Sequence, residues 1–472
     1  MWSLGEYFHS VCLDPVLCKG CVGCIKSCPT EAIRIREGKA QITESRCIDC
    51  GECIRRCPNH AKTAITNTMS DLAQYEYNIA LPAPTLYAQF KADVSIAAIL
   101  CGLMKIGFDG VYEVAKGAEM VSLAMREYLQ RTDIKRPAIS SACPAIVRLI
   151  QVKFPELLDY LVPFEAPVEV VARMALIEYS KQFHVEPKKI GTWFITPCPA
   201  KMTAIKEPVG LDKSNVAGTI AISQIYGDLL RVLPKIVKKD HRIHRASWQG
   251  IGWAVSGGEK EAAGPPSRSL VVHDIQSASE ILEQVYLGKM KEVDYIECLA
   301  CAGGCIGGPL TVENRFVAEA NMQKRLQIIR QEDLATGHVM GQDCVGTKIE
   351  VATRRPLEAR PAMQLDKDII KAMHKVELIE TIYKKLPGLD CGSCGSPTCK
   401  ALAEDIAQGM ASKTDCVFKL RESVCDLAQE MVGLARKLPP SLDKGPNKLC
   451  YIQQKKEDNN TQTRYKKSSI SN

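Results

Sequence analysis

A repeat of cysteines dominates the first sixty residues of this chain. Cys18, Cys21, Cys24 and Cys28 recur 29 positions later as Cys47, Cys50, Cys53 and Cys57, and each set is closed by a proline, Pro29 and Pro58. In the spacing Cys-x2-Cys-x2-Cys-x3-Cys-Pro three thiolates wrap one face of an iron–sulfur cubane, while the fourth points away to a neighbouring cluster. Two copies therefore predict crossed ligation. Cys18, Cys21, Cys24 and Cys57 hold one [4Fe-4S] cluster, and Cys28, Cys47, Cys50 and Cys53 hold the other. Zinc knuckles built from Cys-x-x-Cys pairs are the competing reading. The doubled spacing is far more specific than such pairs and favours the cubanes.

The rest of the composition agrees with a metalloprotein. The chain has 472 residues and 22 cysteines, 46% hydrophobic and 24% charged residues. That is ordinary globular usage on a length that implies two to four domains. The segment Met1-Trp-Ser-Leu-Gly-Glu6 lacks the pattern of a secretory signal, and the longest apolar stretch, near Val94 to Met104, is too short to span a bilayer. The expectation is a cytoplasmic protein without membrane contact, where a reducing thiol pool makes cysteine clusters metal sites rather than disulfides. The formal charge of +7 hints at nucleic acid only until ligating thiolates are counted. Sixteen of them around four clusters with cores near +2 bring the net charge to about −1, so no nucleic-acid partner is expected.

The fold class expected is α/β and multi-domain. Residues 1–73 form a small α+β module with two metal clusters. Residues 74–355 form a larger α/β domain of two lobes, with sheets flanked by helices. Residues 356–388 are a linker with a connecting helix, 389–437 a small helical metal module, and 438–472 a polar, disordered tail. Runs such as Arg136-Pro-Ala-Ile-Ser-Ser and Ile190-Gly-Thr-Trp-Phe-Ile-Thr-Pro-Cys read as buried strands ending in loops, and Val168 to Tyr179 reads as a helix. Ile369, Ile370, Met373, Val376, Ile379, Tyr383 and Leu386 recur at helical spacing until Pro387-Gly388 stops them.

The repeat resembles bacterial two-cluster ferredoxins. Three later segments resemble, in the same order, the signature loops of [FeFe]-hydrogenases: Ser140-Ser-Ala-Cys143-Pro-Ala, Thr196-Pro-Cys198-Pro-Ala-Lys201, and Glu297-Cys-Leu-Ala-Cys301-Ala-Gly-Gly-Cys305-Ile-Gly-Gly. The resemblance implies that Cys143, Cys198, Cys301 and Cys305 ligate the [4Fe-4S] subcluster of an H-cluster. Cys305 would bridge to a diiron unit carrying CO, CN⁻ and azadithiolate. By the same resemblance Lys201 holds one cyanide, and the turn Ala83-Pro84-Thr85 contacts the other. Glycines 303, 304, 307 and 308 would let backbone approach the metal. Cys391, Cys394, Cys399 and Cys416 resemble a small C-terminal [4Fe-4S] domain of redox proteins, for which zinc is again the competing reading. The cofactor set implied is three accessory clusters plus the H-cluster.

Departures from the family pattern shape the functional expectation. Fast members carry a proton-passing cysteine where this chain has Ala142, whose methyl cannot carry a proton, whereas a thiol with a pKa near 8.5 can. The relay serine expected after the first loop is missing from Leu161-Val-Pro-Phe-Glu-Ala-Pro. Two methionines beside the diiron unit are replaced by Thr196 and Leu299. The pair Glu297 and Cys298 offers another proton route, set against Cys298 as a packed core thiol. These features resemble the divergent, sensory group of the family. The implied activity is slow, H₂-sensing, reversible conversion of H₂ to protons and electrons, working with ferredoxin or another redox protein. Dedicated H-cluster maturation proteins and a separate signalling kinase or phosphatase would be further partners. The alternatives are a metabolic, ferredoxin-linked hydrogenase with a different proton path, and a non-catalytic electron-transfer or cluster-assembly protein without the diiron unit. Cys12, Cys101, Cys298, Cys344, Cys425 and Cys450 are left as structural.

Overall fold

The computed structural model describes residues 7–236, 246–264, 268–342, 350–360, 362–366 and 368–437. Cys344, Cys450 and the tail from 438 lie outside the described residues. Two compact units result, one through Met410 and one from Ala411.

In the cysteine repeat, β1 (Val11–Leu13) pairs antiparallel with β4 (Lys62–Ala64), and β2 (Ile33–Arg36) pairs with β3 (Lys39–Ile42). Glu37 and Gly38 both have positive φ, 52° and 71°, the signature of a two-residue type I′ hairpin. These strands are too short to bury much. The apolar cluster behind them is Ile25, Ile33, Ala40 and Ala61, completed by Cys18 and Cys24 themselves.

Two parallel sheets follow. One has the order β6-β5-β8-β9, from β5 (Tyr77–Pro82), β6 (Gly110–Val111), β8 (Ile190–Thr196) and β9 (Gly218–Ala221). The other has the order β10-β11-β7, from β7 (Ala138–Ile139), β10 (Ser269–His273) and β11 (Tyr295–Leu299). Parallel sheets covered on both faces need apolar residues at every position, and every residue of β8 and β11 is buried. Successive side chains leave opposite faces. Ile79, Leu81 and Phe194 accordingly pack with Val171 and Ala172 of the helix Pro167–Phe183. Ala80, Trp193 and Ile195 pack the other way, with Leu86, Ile220 and Leu229. The helix read from Val168 to Tyr179 is thus longer by a residue or more at each end.

The connecting helix covers Ile369–Tyr383, and it buries Ile379 and Ile382 against Ala403 of the helix Cys399–Ala407. Ile369, Ile370 and Met373 stay exposed. The second unit consists, among described residues, of a 3₁₀ turn at Lys413–Asp415 and the helix Val417–Ala435, with Cys416 at its N-cap. No described helix is long and apolar enough to cross a membrane.

Candidate active site

The carboxyl ends of strands from both sheets converge on one cavity of about 90 Å³, the place where open parallel sheets present functional groups. β5 delivers Ala83, Pro84 and Thr85, β8 delivers Cys198, β7 delivers Ala142 and Cys143, and β11 delivers Glu297, Leu299 and Cys301, with Cys305 on the loop beyond. Cys143 and Cys198 are N-caps, each followed by a proline at the first helical position, in the helices Pro144–Lys153 and Pro199–Lys206. Proline is preorganised for that position, so each Cys-Pro pair turns a strand end into a helix start with the thiol at its mouth. Lys201, one turn into the second helix, lines the cavity and donates from Nζ to the Ala142 carbonyl at 2.9 Å.

The thiols are shaped first by burial. Burial pushes Cys198 up to about 11 and Cys305 up to about 12, and carries Cys301 well above the ordinary thiol. Burial acts the same way on Cys53, pushed up to about 12, and on Cys47 and Cys50. Such thiols are neutral at pH 7 unless a metal deprotonates them. Among the described residues no three cysteines bring their sulfurs within 4.8 Å of one another. Tetrahedral zinc, with Zn–S near 2.3 Å, needs sulfurs about 3.8 Å apart, closer than any three cysteine sulfurs stand among the described residues. Among the described residues, the group compact enough for a single ion is His9, Cys47 and Asp49. There His9 Nδ1 and Asp49 Oδ2 already satisfy each other at 2.9 Å.

The repeat carries two further marks of cubanes. Backbone N–H groups of Ala32, Ala40 and Ala61 donate to the sulfurs of Cys28, Cys18 and Cys57 at 3.3, 3.4 and 3.2 Å, the kind of bond that tunes cluster potentials. Lys62 is 3% exposed, and its Nζ has no hydrogen-bond partner among the described residues. It acts electrostatically on Cys18 and Cys24 of one predicted cluster and on Cys53 of the other. A buried, unpaired ammonium is costly, and anionic cubanes on either side would offset that cost. At the C-terminal motif, Gly392 and Gly395 (φ 80° and 81°) fold the loop of Cys391 and Cys394, and Asp390 Oδ1 accepts from the Cys399 N–H at 2.6 Å.

Comparison with known proteins agrees. Residues 76–263 and 229–309 match the family model described as iron only hydrogenase large subunit, C-terminal domain. Residues 10–58 match a 4Fe-4S dicluster domain, and 386–418 match a model of an Fe-S cluster domain. The central region is [FeFe]-hydrogenase-like, and the flanking segments are similar to iron–sulfur cluster domains. Among its relatives, the NADP-reducing hydrogenase subunit HndD of Solidesulfovibrio fructosivorans is 23% identical over 62% of this chain and 60% of its own length. Iron hydrogenase 1 of Clostridium pasteurianum is 24% identical over 52% and 50%. The chain therefore spans less than two thirds of either relative. A solved [FeFe]-hydrogenase HydA1 variant from Chlamydomonas reinhardtii overlays with TM-score 0.44 at 14% identity, covering 62% of this chain and 97% of that one.

Several residues of this hydrogenase-like chain sit differently from the sequence reading. Glu297 and Cys298 do not pair across a proton route, because neighbours on a strand face opposite ways. Glu297 lines the cavity, while Cys298 is buried among Ile139, Ile146 and Leu282 with its thiol pushed far up by burial. The Thr196 hydroxyl turns to the backbone of Cys198, accepting from its N–H at 3.2 Å and donating to its carbonyl at 3.3 Å. Gly304 and Gly308 answer first to protein backbone. A Cβ would lie 2.7 Å from the Ser256 nitrogen at one and 2.5 Å from the Pro197 carbonyl oxygen at the other.

Glu259 went unread in the sequence. It is buried, lines the cavity, accepts from Ser140 Oγ at 2.7 and 2.8 Å, and accepts from Tyr295 Oη at 2.9 Å. Burial, reinforced by the charge of Glu297, holds its carboxyl far above the ordinary range. Burial also raises Glu297, against the lowering effect of backbone N–H groups of Lys260 and Gly257, each at 2.8 Å. Both shifts favour the neutral acid over the ionised form. No motif flags Glu259, whose setting, Gly257-Gly-Glu-Lys-Glu-Ala-Ala, reads as an ordinary exposed helix.

Proposed function

We propose that this chain carries a complete H-cluster in the cavity and interconverts H₂ with protons and electrons there, slowly and in an H₂-sensing role. One observation carries the reading: Cys143, Cys198, Cys301 and Cys305 meet Lys201, Ala83, Pro84 and Thr85 around a single cavity. The four thiols suit the [4Fe-4S] subcluster. The Lys201 ammonium and the buried Thr85 hydroxyl suit anionic cyanide acceptors, which in a dry pocket need donors. When bound, the diiron unit supplies the centre at which H₂ is cleaved or formed. Leu299, Ala142 and Trp253 line the cavity and limit water. Because Ala142 cannot pass a proton, Glu259 is the protein group best disposed to store one, held on its carboxyl by burial and by the charge of Glu297, against the donors Ser140 and Tyr295. Its neighbour Glu297 is the partner for exchange. [4Fe-4S] clusters can be tuned near the H⁺/H₂ couple, about −0.4 V at pH 7, so they suit a wire to a ferredoxin or similar redox protein. A reducing cytoplasm, dedicated maturation proteins and a separate kinase or phosphatase complete the sensory reading.

Infrared spectroscopy of anaerobically matured protein, first under H₂ and then argon, tests it. Bands of metal-bound CO and CN⁻ that change between the gases are the expected result. Sixteen-cysteine iron loading without such bands would leave an electron-transfer or cluster-assembly protein, and turnover in the hundreds per second would favour the metabolic reading.

A further inference from the structure

The cysteine repeat is gripped from two sides. Its second half faces the cavity: Cys50 lines it, and Arg55 Nη1 donates to the Gly307 carbonyl at 2.5 Å. A Cβ on Gly51 would lie 2.5 Å from Pro309 and 2.9 Å from Pro199. Its first half faces the C-terminal cysteines. A Cβ on Gly392, between Cys391 and Cys394, would sit 3.5 Å from both Val22 and Ile25, which lie between Cys21 and Cys24 and beside Cys24. Lys26 Nζ donates to the Pro397 carbonyl at 3.1 Å and to that of Asp390. Ile35 N–H donates to the Gly395 carbonyl at 2.8 Å, and Arg36 Nη1 donates to that of Cys394 at 3.4 Å.

A buried ionic latch fastens this second contact. Asp405, 2% exposed, accepts from Arg34 at 2.7 and 3.1 Å, from Arg36 at 2.7 Å and from Ser396 Oγ at 2.7 Å, and Arg46 pairs with Glu404 beside it. Four charge-assisted bonds on one buried carboxylate fix a relative geometry at the desolvation cost of that carboxylate and of two partly buried guanidiniums. A module needing only a tether has no use for that expense. Cys391, between these contacts, is exposed to solvent.

We propose that the Cys391–Cys399 loop is the outer terminus of a single electron path, running through the Cys21–Cys24 half and then the Cys47–Cys53 half to the cavity, with Asp405 as the positioning residue that closes its first gap. The proposal rests on the hydrogenase-like reading only for the cargo. Each H₂ gives two protons and two electrons, and the electrons leave singly, each reducing a one-electron iron–sulfur protein docked at the exposed loop. The reverse flow brings them in.

The test uses the full chain with its [4Fe-4S] clusters reconstituted, comparing wild type with Asp405→Asn and Glu404→Arg, the latter setting a guanidinium against Arg46. In wild type, electron paramagnetic resonance of the reduced protein should show spin–spin broadening that links the C-terminal cluster to its neighbour. Reduced two-cluster ferredoxin should fill all clusters. In both variants, with iron content unchanged, the broadening should be lost and ferredoxin should reduce the inner clusters at least tenfold more slowly. Dithionite, small enough to reach every cluster, should reduce them at the wild-type rate. If Asp405→Asn loses the module's iron, Glu404→Arg alone carries the test. Unchanged broadening, or unchanged ferredoxin rates because electrons enter directly at the exposed Cys21, would overturn the proposal. None of these signals involves the diiron unit, so failure here is separable from failure of the infrared experiment.

Discussion

The cysteine repeat and the central sheets hold their thiols by opposite means. In the repeat the ligands are close in sequence, the strands are three or four residues long, and the apolar cluster counts the cysteines among its own members. In the central region the four thiols come from positions spread between 143 and 305, at the ends of strands whose apolar faces are already buried on both sides. Small domains with little apolar core depend on metal for folding, whereas a large core folds first and presents ligands afterwards. The comparison separates metal as core from metal as guest.

Removing iron is the strongest way to break that contrast. Metal binding can supply ~10 kcal/mol to a small metal-organised module. Chelation should therefore abolish amide-exchange protection in β1 to β4 while β5 and β8 keep theirs. Simultaneous loss in all six strands would show that the central sheets also depend on metal. A smaller effect should come from Lys62→Met. An ammonium roughly 6 Å from a cluster at an effective dielectric near 20 is worth about 3 kcal/mol, which is on the order of 100 mV for one electron. Both clusters of the repeat should fall by that order in redox titrations. The central cluster, whose local cations are Lys201 and Arg55, should hold its potential.

Legibility followed the same division. The dicluster character of the repeat is readable because iron–sulfur geometry dictates spacing along a few consecutive residues. The central cysteines were readable only through their loop motifs, and the α/β class through continuous apolar runs such as Ile190 to Thr196. What escaped lies in contacts between distant segments. Glu259 meets Ser140 across 119 positions and Arg34 meets Asp405 across 371, and no local pattern encodes either. Of the two readings of Cys298, its place among Ile139, Ile146 and Leu282 favours the packed thiol, because adjacency on a strand separates side chains rather than joining them.

The finest discrimination is electrostatic and belongs to the central region. Glu259 and Glu297 are raised by burial above the ordinary carboxylate range, near 4.3 for a free Glu. A carboxyl with a raised folded-state value favours the folded state as the neutral acid. Its contribution is complete below the unfolded value and is lost as pH rises through the raised one. In iron-free protein, the stability of the central sheets should fall as pH climbs from about 4.3 through neutrality. Glu259→Gln keeps a donor and acceptor beside Ser140 and Tyr295 but removes the buried charge and relieves Glu297 of its neighbour. Most of the slope should then vanish, with the variant gaining on the wild type toward alkaline pH in chemical denaturation. Parallel pH profiles would mean that the two carboxyls are not protonated together in the cavity. With the repeat expected to be unfolded without iron, any slope that remains is assigned to the sheets.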